Sequence, residues 1–286
     1  MRWRRRRTAT PHDGWTTEVS SGLALAGFLF LVFVGFTLLA MGPLISIDTY
    51  FNLAPPPPGW VAFLHVLDRI GQRAVCLPIL AVTTFVACRH RESWRPAWVV
   101  ACAVFSLNLL VLILKVVLGR GQPESADPAF FAGGMAYPSG HTSNIVLVYG
   151  LVAYLLSRYR NVSRTLVRVL WAAVALLSLT MVVTSLTLNW HWFADLIAGL
   201  LIGGVVLQLT AAVDTAVPQT VLDGGPRQLL GALRARLGHE RRATTAPPSL
   251  PPTVPPTVPP TVPPTASPTA RPTVPPPPPV QPRQDA

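Results

Sequence analysis

Two residues at the start of the last long apolar stretch have types and a spacing that suit nucleophilic chemistry. His191 and Asp195 stand four positions apart in His191-Trp-Phe-Ala-Asp195. On a helix this spacing puts the imidazole and the carboxylate on one face, one turn apart. A carboxylate bonded to one ring nitrogen fixes the tautomer and raises the basicity of the other nitrogen, so the imidazole becomes a nucleophile. A structural pair that caps the helix is the alternative for these two residues alone.

A second segment, Tyr137-Pro138-Ser139-Gly140-His141-Thr142-Ser143, stands directly before another apolar stretch. Proline suits the first turn of a helix and glycine permits a close approach of the backbone, so the free N–H groups of this helix start can hold an anion. The Ser139 hydroxyl and the His141 imidazole would lie beside that anion. A plain helix N-terminus capped by serine or threonine explains the same residues.

A third candidate is Lys115, the single lysine in a chain with 22 arginines, which lies within an otherwise apolar run. Ionisable groups inside such runs are costly, so they usually have a partner or a function. A lysine that extends from a helix end to the lipid headgroups is an equally good interpretation of this residue alone.

The composition indicates that a membrane bundle must position these residues. Of 286 residues, 50% are apolar and only 12% are charged, which is too apolar for an ordinary soluble domain. A spanning helix needs about 20 mostly apolar residues, and six stretches qualify or come close. We therefore predict an all-α, polytopic membrane protein with six transmembrane helices in a bundle. The six stretches are about 20–41, 70–88, 97–118, 143–157, 169–190 and 193–213.

The basic residues predict the orientation of this bundle, since short cytoplasmic loops collect lysine and arginine. They also account for the net charge of +11, because they sit in short clusters between apolar runs and not along one nucleic-acid-binding face. Most of them fall in the segments 1–7, 89–95, 157–168 and 214–242. The other side holds only Arg69, Arg73, Lys115 and Arg120. We therefore expect both termini in the cytoplasm, and all the candidate residues at the extracytoplasmic face of the inner membrane.

The composition also divides the chain into four parts. Residues 1–19 are a basic cytoplasmic N-terminus, and residues 20–213 form the membrane domain. The first apolar stretch is longer than the roughly 7–15 residues of a signal-peptide core, so we interpret it as a retained anchor. Residues 214–243 are basic, with an amphipathic spacing of leucines that suits either an anionic leaflet or a solvated helix. Residues 244–286 are rich in proline and threonine and are predicted to be a disordered tether.

Taken together, the three segments resemble a known signature. The order Lys115…Pro123, Pro138-Ser139-Gly140-His141 and His191…Asp195 is similar to that of the type 2 phosphatidic acid phosphatase superfamily, whose helical core is shared with vanadium haloperoxidases. The similarity covers about residues 97–205, and the six-span layout agrees with it.

The resemblance implies a role for each residue of the signature. His191 would attack phosphorus and form a phosphohistidine, with Asp195 orienting the imidazole. His141 would protonate the leaving group and then activate water. Lys115, Ser139 and the Gly140 N–H would bind the phosphoryl oxygens, and no metal or cofactor would be required.

Two departures from the family pattern remove positive charge. Gln122 stands where the family has the arginine before Pro123, and Thr184-Ser185 stand where it has Ser-Arg. Arg120, two residues before Gln122, could reach the phosphate with its guanidinium fork in place of one missing arginine.

The sequence therefore predicts a membrane phosphohydrolase that removes phosphate from a lipid phosphate or diphosphate. Candidate substrates are polyprenyl diphosphate, phosphatidic acid and phosphatidylglycerol phosphate. A catalytically weakened or inactive lipid-phosphate-binding scaffold is one alternative, because a neutral hydrogen bond is about half as strong as a charge-assisted one. Transfer of the phosphoryl group to an alcohol is the other alternative.

Overall fold

The computed structural model describes residues 11–160 and 162–218, with side chains described from residue 17 onward. Over these residues the chain is helical and contains no strand. The first ten residues, most of the basic segment 214–243 and the whole proline-rich tail lie outside the described residues. The helices are α1 (Pro11–Ala40), α2 (Ile45–Tyr50), α3 (Pro58–Asp68), α4 (Arg73–Arg91), α5 (Arg95–Leu118), α6 (Gly140–Asn144), α7 (Gly150–Arg160), α8 (Arg164–Thr187) and α9 (Phe193–Ala216).

In the described part of the chain, six helical segments are long and apolar enough to cross a membrane. This confirms the prediction of an all-α, multi-pass membrane protein. The fourth span, which is short in the sequence, begins at Gly140 and runs through α6, a π-helical turn and α7. The spans are Thr17–Ala40, Arg73–Arg91, Arg95–Ser125, Gly140–Arg160, Arg164–Thr187 and Phe193–Ala216.

Local sequence signals explain where several helices begin and end. Pro58 occupies the first turn of α3, where its missing N–H leaves no hydrogen bond unmade. Ser163 caps α8, and its hydroxyl accepts a hydrogen bond from the Leu166 N–H at 3.2 Å. Helix α5 ends at Gly119, whose φ of +50° is the left-handed conformation that commonly terminates helices.

Close packing of α6 against α9 brings two of the predicted motifs side by side. A Cβ added at Gly199 would lie 2.1 Å from Thr142 Oγ1 and 2.5 Å from the Ser139 carbonyl oxygen, so only glycine fits there. The Thr142 hydroxyl donates to the Leu196 carbonyl at 3.0 Å, and the Ser139 N–H donates to the Asp195 carbonyl at 2.9 Å. The start of α6 is therefore held directly against the start of α9.

A separate polar cluster joins α5, α7 and α9 at the opposite end of the bundle. Arg95 donates from Nε to Asp214 Oδ1 at 2.7 Å, and both residues are buried. The hydroxyls of Tyr154 and Tyr159 donate to Asp214 Oδ2 at 2.6 Å and 2.7 Å. Since the buried carboxylate is paired and fully hydrogen-bonded, this cluster has a structural explanation.

Candidate active site

One pocket of about 620 Å³ lies where α4, α6 and α9 begin and α5 ends. Four of the residues predicted from the sequence line it, namely Lys115, Gly140, His141 and His191. The tertiary structure therefore brings the three sequence segments to one cavity at one end of the bundle. The remaining lining residues are Gly71, Gln72, Arg73, Ala74, Gln122, Glu124, Met135, Asn144 and Trp190.

His191 lies in the turn before α9, which corrects the expectation that it would share a helix face with Asp195. Its Nδ1 lies 3.4 Å from Asp195 Oδ2, and its side chain is only 14% exposed. Trp192, in an extended conformation, is the N-cap of α9, and its N–H donates to the same Asp195 oxygen at 3.0 Å. The Asp195 side chain caps the first turn of α9. It therefore lies next to His191, although His191 itself is outside the helix. In the tautomer whose Nδ1–H points to Asp195, the Nε2 of His191 keeps its lone pair.

His141 occupies the first turn of α6 on the opposite side of the same pocket. Its side chain is 32% exposed, and its Nε2 lies 3.6 Å from Asp68 Oδ2 at the end of α3. The Asp68 carboxylate was not a sequence candidate. Both pocket histidines thus have a carboxylate close to one ring nitrogen.

The three residues expected to hold the phosphoryl oxygens have different surroundings. Lys115 is half-buried, and its Nζ donates to the Met135 carbonyl on the pocket wall. Gly140 faces the cavity, whereas Ser139 is completely buried behind it and is not a lining residue. Among the described residues the Ser139 hydroxyl has no hydrogen-bond partner.

Arg120 lies behind the pocket wall, which corrects its expected role as a phosphate ligand. The side chain is fully buried between two carboxylates. Its Nη1 donates to Asp195 Oδ1 at 2.7 Å, its Nη2 donates to Asp48 Oδ2, and its Nε donates to the Pro128 carbonyl at 3.0 Å. Since each of the three guanidinium nitrogens donates to one of these acceptors and the side chain is fully buried, Arg120 orients Asp195 and does not face the cavity.

Asp48, in α2, completes this buried triad and was missed by the sequence analysis. Its Oδ1 accepts from the Ala194 N–H at 2.8 Å, so the carboxylate also caps the start of α9. Burial raises the pKa of the Asp48 carboxyl, and the adjacent Arg120 guanidinium limits that rise. The available signal was a lone acidic residue just after the first apolar span.

The two positions that depart from the family pattern, 122 and 185, have different surroundings. Arg73, at the start of α4, is exposed and lines the cavity, as does the neutral Gln122. Ser185 is fully buried and does not line the cavity, and its hydroxyl lies 3.5 Å from Met181 Sδ. Position 122 therefore has room for an arginine at the cavity, whereas position 185 has none without rearrangement of its buried surroundings.

Comparison with known proteins identifies one family and several relatives. Residues 96–217 match the family model described as the PAP2 superfamily, which confirms the resemblance seen in the sequence. Phosphatidylglycerophosphatase B of Bacillus subtilis is 21% identical over 152 residues, covering 53% of this chain and 73% of that protein. The lipid A 4'-phosphatase of Bacteroides thetaiotaomicron is 28% identical over 179 residues, covering 54% of this chain and 75% of that protein.

A solved structure shares the fold. It is the crystal structure of a transmembrane PAP2-type phosphatidylglycerolphosphate phosphatase from Bacillus subtilis, and it superposes with a TM-score of 0.59 at 18% sequence identity. The superposition covers 68% of this chain and 98% of that chain. At this identity the likeness establishes the arrangement of helices alone.

Proposed function

Since residues 96–217 match the family model of the PAP2 superfamily, we propose that the protein is a membrane phosphohydrolase that removes phosphate from a lipid phosphate or diphosphate. One observation carries the proposal. His141 and His191 line the same pocket, and His191 is backed by the buried Asp195 carboxylate. The two relatives named above are lipid phosphatases by name, and that chemistry suits a pocket at the end of a membrane bundle.

In the first step, the Nε2 lone pair of His191 attacks phosphorus and the bond from phosphorus to the leaving oxygen breaks. Asp195 holds the Nδ1 proton and stabilises the positive charge that forms on the ring. His141 donates its proton to the leaving oxygen, so the lipid alcohol or lipid phosphate departs neutralised. The product on the protein is a phosphohistidine at His191.

In the second step, His141 accepts a proton from water, and the resulting hydroxide attacks the phosphorus of the phosphohistidine. The bond between phosphorus and Nε2 breaks, inorganic phosphate leaves, and both histidines return to their starting states. An alcohol in place of water would give phosphoryl transfer, which product analysis with added alcohol distinguishes.

Positive charge and backbone donors stabilise the phosphoryl oxygens as charge develops on them. Lys115 and Arg73 supply two cationic side chains from different helices, and the Gly140 N–H lies at the free N-terminus of α6. Ser139 is buried behind Gly140 and does not line the cavity, so it is not part of this set. Arg120 is paired with Asp48 and Asp195 and takes no part in phosphate binding.

A substrate screen tests the proposal directly. The purified protein in detergent is expected to release phosphate from phosphatidic acid, phosphatidylglycerol phosphate, a lipid A phosphate or a polyprenyl diphosphate. Glycerol 3-phosphate, which has the phosphate but no lipid chains, serves as the control substrate. Binding of a lipid phosphate without phosphate release would instead support the scaffold alternative.

The same assay tests the proposed orientation. The basic loops favour a pocket on the extracytoplasmic side of the cell membrane, with both termini inside. Right-side-out vesicles should therefore hydrolyse a short-chain phosphatidic acid added outside without permeabilisation. Activity that appears only after permeabilisation would place the pocket in the cytoplasm.

Gln122→Arg is expected to raise kcat/KM by about 10–10²-fold, because it adds a charged donor at the lining where a neutral side chain now stands. Phosphate release from the best lipid in the screen measures this gain. Ser125→Arg is the matched control, since it adds the same charge on the same exposed loop outside the lining. An equal gain in both variants would indicate general attraction of anionic lipid and not a contact with the phosphoryl group.

In contrast to Gln122→Arg, Ser185→Arg is expected to destabilise the protein. The site is fully buried against Met181, so an arginine there would be overpacked and its charge unpaired. Thermal unfolding in detergent should separate this variant clearly from Gln122→Arg.

A further inference from the structure

The connection between α3 and α4 forms one wall of the pocket, although it precedes the region matched by the family model. Gly71, Gln72 and Arg73 from this connection line the cavity. We call residues 68–73 the α3–α4 connection. This connection contains one buried acidic residue, Asp68.

Asp68, the first residue of this connection, is a fully buried carboxylate with incomplete hydrogen bonding. Its Oδ2 accepts from Gln72 Nε2 at 3.0 Å and lies 3.6 Å from His141 Nε2. Its Oδ1 has no hydrogen-bond partner among the described residues. A buried carboxylate needs a partner for its charge, and the imidazole is the titratable group placed to supply it.

The surrounding packing holds Asp68 in this position relative to His141. A Cβ added at Gly71 would lie 3.3 Å from both the Cβ and the carbonyl oxygen of His141 and 2.7 Å from Met181 Cε, so the connection rests directly on the catalytic helix start. The Tyr149 hydroxyl, in the π-helical turn that follows α6, donates to the Ile70 carbonyl at 3.0 Å. Both contacts tie the connection to the span that carries His141.

We propose that Asp68 is a positioning residue for His141: it orients the imidazole and stabilises its protonated form, so that His141 can act as the general acid. This deepens the proposed function and rests on it. Each histidine would then have its own buried carboxylate, Asp195 for the nucleophile and Asp68 for the acid. Burial opposes protonation of the His141 imidazole, and so does positive charge on Lys115, Arg73 or His191, so the Asp68 carboxylate is the group beside it that favours the protonated form.

A leaving-group comparison tests this role. Asp68→Asn keeps the shape of the side chain and removes its charge. It is expected to lower kcat/KM for phosphatidic acid by about 10–10²-fold, because the alkoxide leaving group needs a proton. For p-nitrophenyl phosphate, whose leaving group departs without protonation, the change should stay under about threefold. A merely structural role would lower both values equally, and that result would overturn the proposal.

Two controls separate positioning from general damage. Asp214→Asn removes another buried carboxylate, at the far end of the bundle, and should change stability without any dependence on the leaving group. In a His141→Ala background, Asp68→Asn should cause no further loss, since a residue that acts through His141 has nothing left to position. Fully additive losses would contradict the proposal.

A final measurement does not depend on turnover, so it separates this inference from the proposed function. Diethyl pyrocarbonate modifies neutral imidazole, and mass spectrometry can follow His141 and His191 separately. At mildly acidic pH, Asp68→Asn should accelerate modification of His141 several-fold and leave His191 unchanged. An unchanged rate at His141 would overturn the inference, whereas an inactive wild type with the accelerated rate would overturn only the hydrolase proposal.

Discussion

His191→Ala should abolish hydrolysis, with kcat/KM for lipid phosphates falling by about 10⁴-fold or more. The imidazole is the group that forms the bond to phosphorus, and no rearrangement of Asp195 replaces it. The fold should tolerate the change, because His191 lies in the turn before α9 and, within the described part of the chain, the 3.4 Å approach to Asp195 is the one polar contact of its side chain. The melting temperature in detergent should therefore shift by only a few degrees.

Two measurements check this result. Phosphate release gives the rate, and brief incubation with ³²P-labelled lipid followed by an alkaline quench should trap an acid-labile phosphoprotein in the wild type only. His90→Ala is the matched control, since His90 is exposed at the opposite end of the bundle. Hydrolysis that survives in His191→Ala would mean that the attack on phosphorus does not pass through this residue.

Arg120→Ala should be the most destabilising single change at this end of the bundle, at about 3–5 kcal/mol. Removing the guanidinium leaves Asp48 and Asp195 buried together without their shared cation. Arg120→Lys should lose less, because an ammonium keeps the charge but cannot reproduce the planar fork that serves both carboxylates and the Pro128 carbonyl. Thermal or denaturant unfolding in detergent measures both losses.

Arg89→Ala is the matched control for this series. Arg89 is exposed in the last turn of α4, so its loss should change stability by less than about 0.5 kcal/mol. If Arg120→Ala unfolded at the same point as Arg89→Ala, the buried triad would have no part in holding α2, α5 and α9 together. The assignment of Arg120 to Asp195 would then fail as well.

Both His191 and Arg120 were identified from the sequence, but only His191 was assigned the right partner. His191 was identified because a histidine and an aspartate at a fixed short spacing form a local pattern, and the structure keeps them close even though His191 lies outside the helix. Arg120 was also singled out, but for the wrong partner. Its proximity to Gln122 in the chain suggested a phosphate ligand, whereas packing pairs it with Asp48, which is 72 positions away along the chain.

The residues that sequence reasoning missed have a common cause. Asp48 and Asp68 belong to no motif, and each lies in a short helix between spans. Their importance comes from burial, because a buried carboxylate must have a partner. Apart from the position of Asp48 just after the first apolar span, nothing local distinguishes them from an exposed acidic residue of a loop, such as Asp127.

By itself, the sequence determined that this is a six-span helical membrane protein with two histidines and a lysine at span ends. These features follow from local composition, because a bilayer selects about 20 apolar residues per span and excludes unpaired charge wherever it occurs. Only the tertiary structure decided which polar side chains meet. It turned Arg120 away from the cavity, placed Asp68 beside His141 and put Arg73 on the pocket wall. Such pairings depend on how α2, α3, α4 and α9 pack. The sequence of one segment does not reveal which distant segment it will contact.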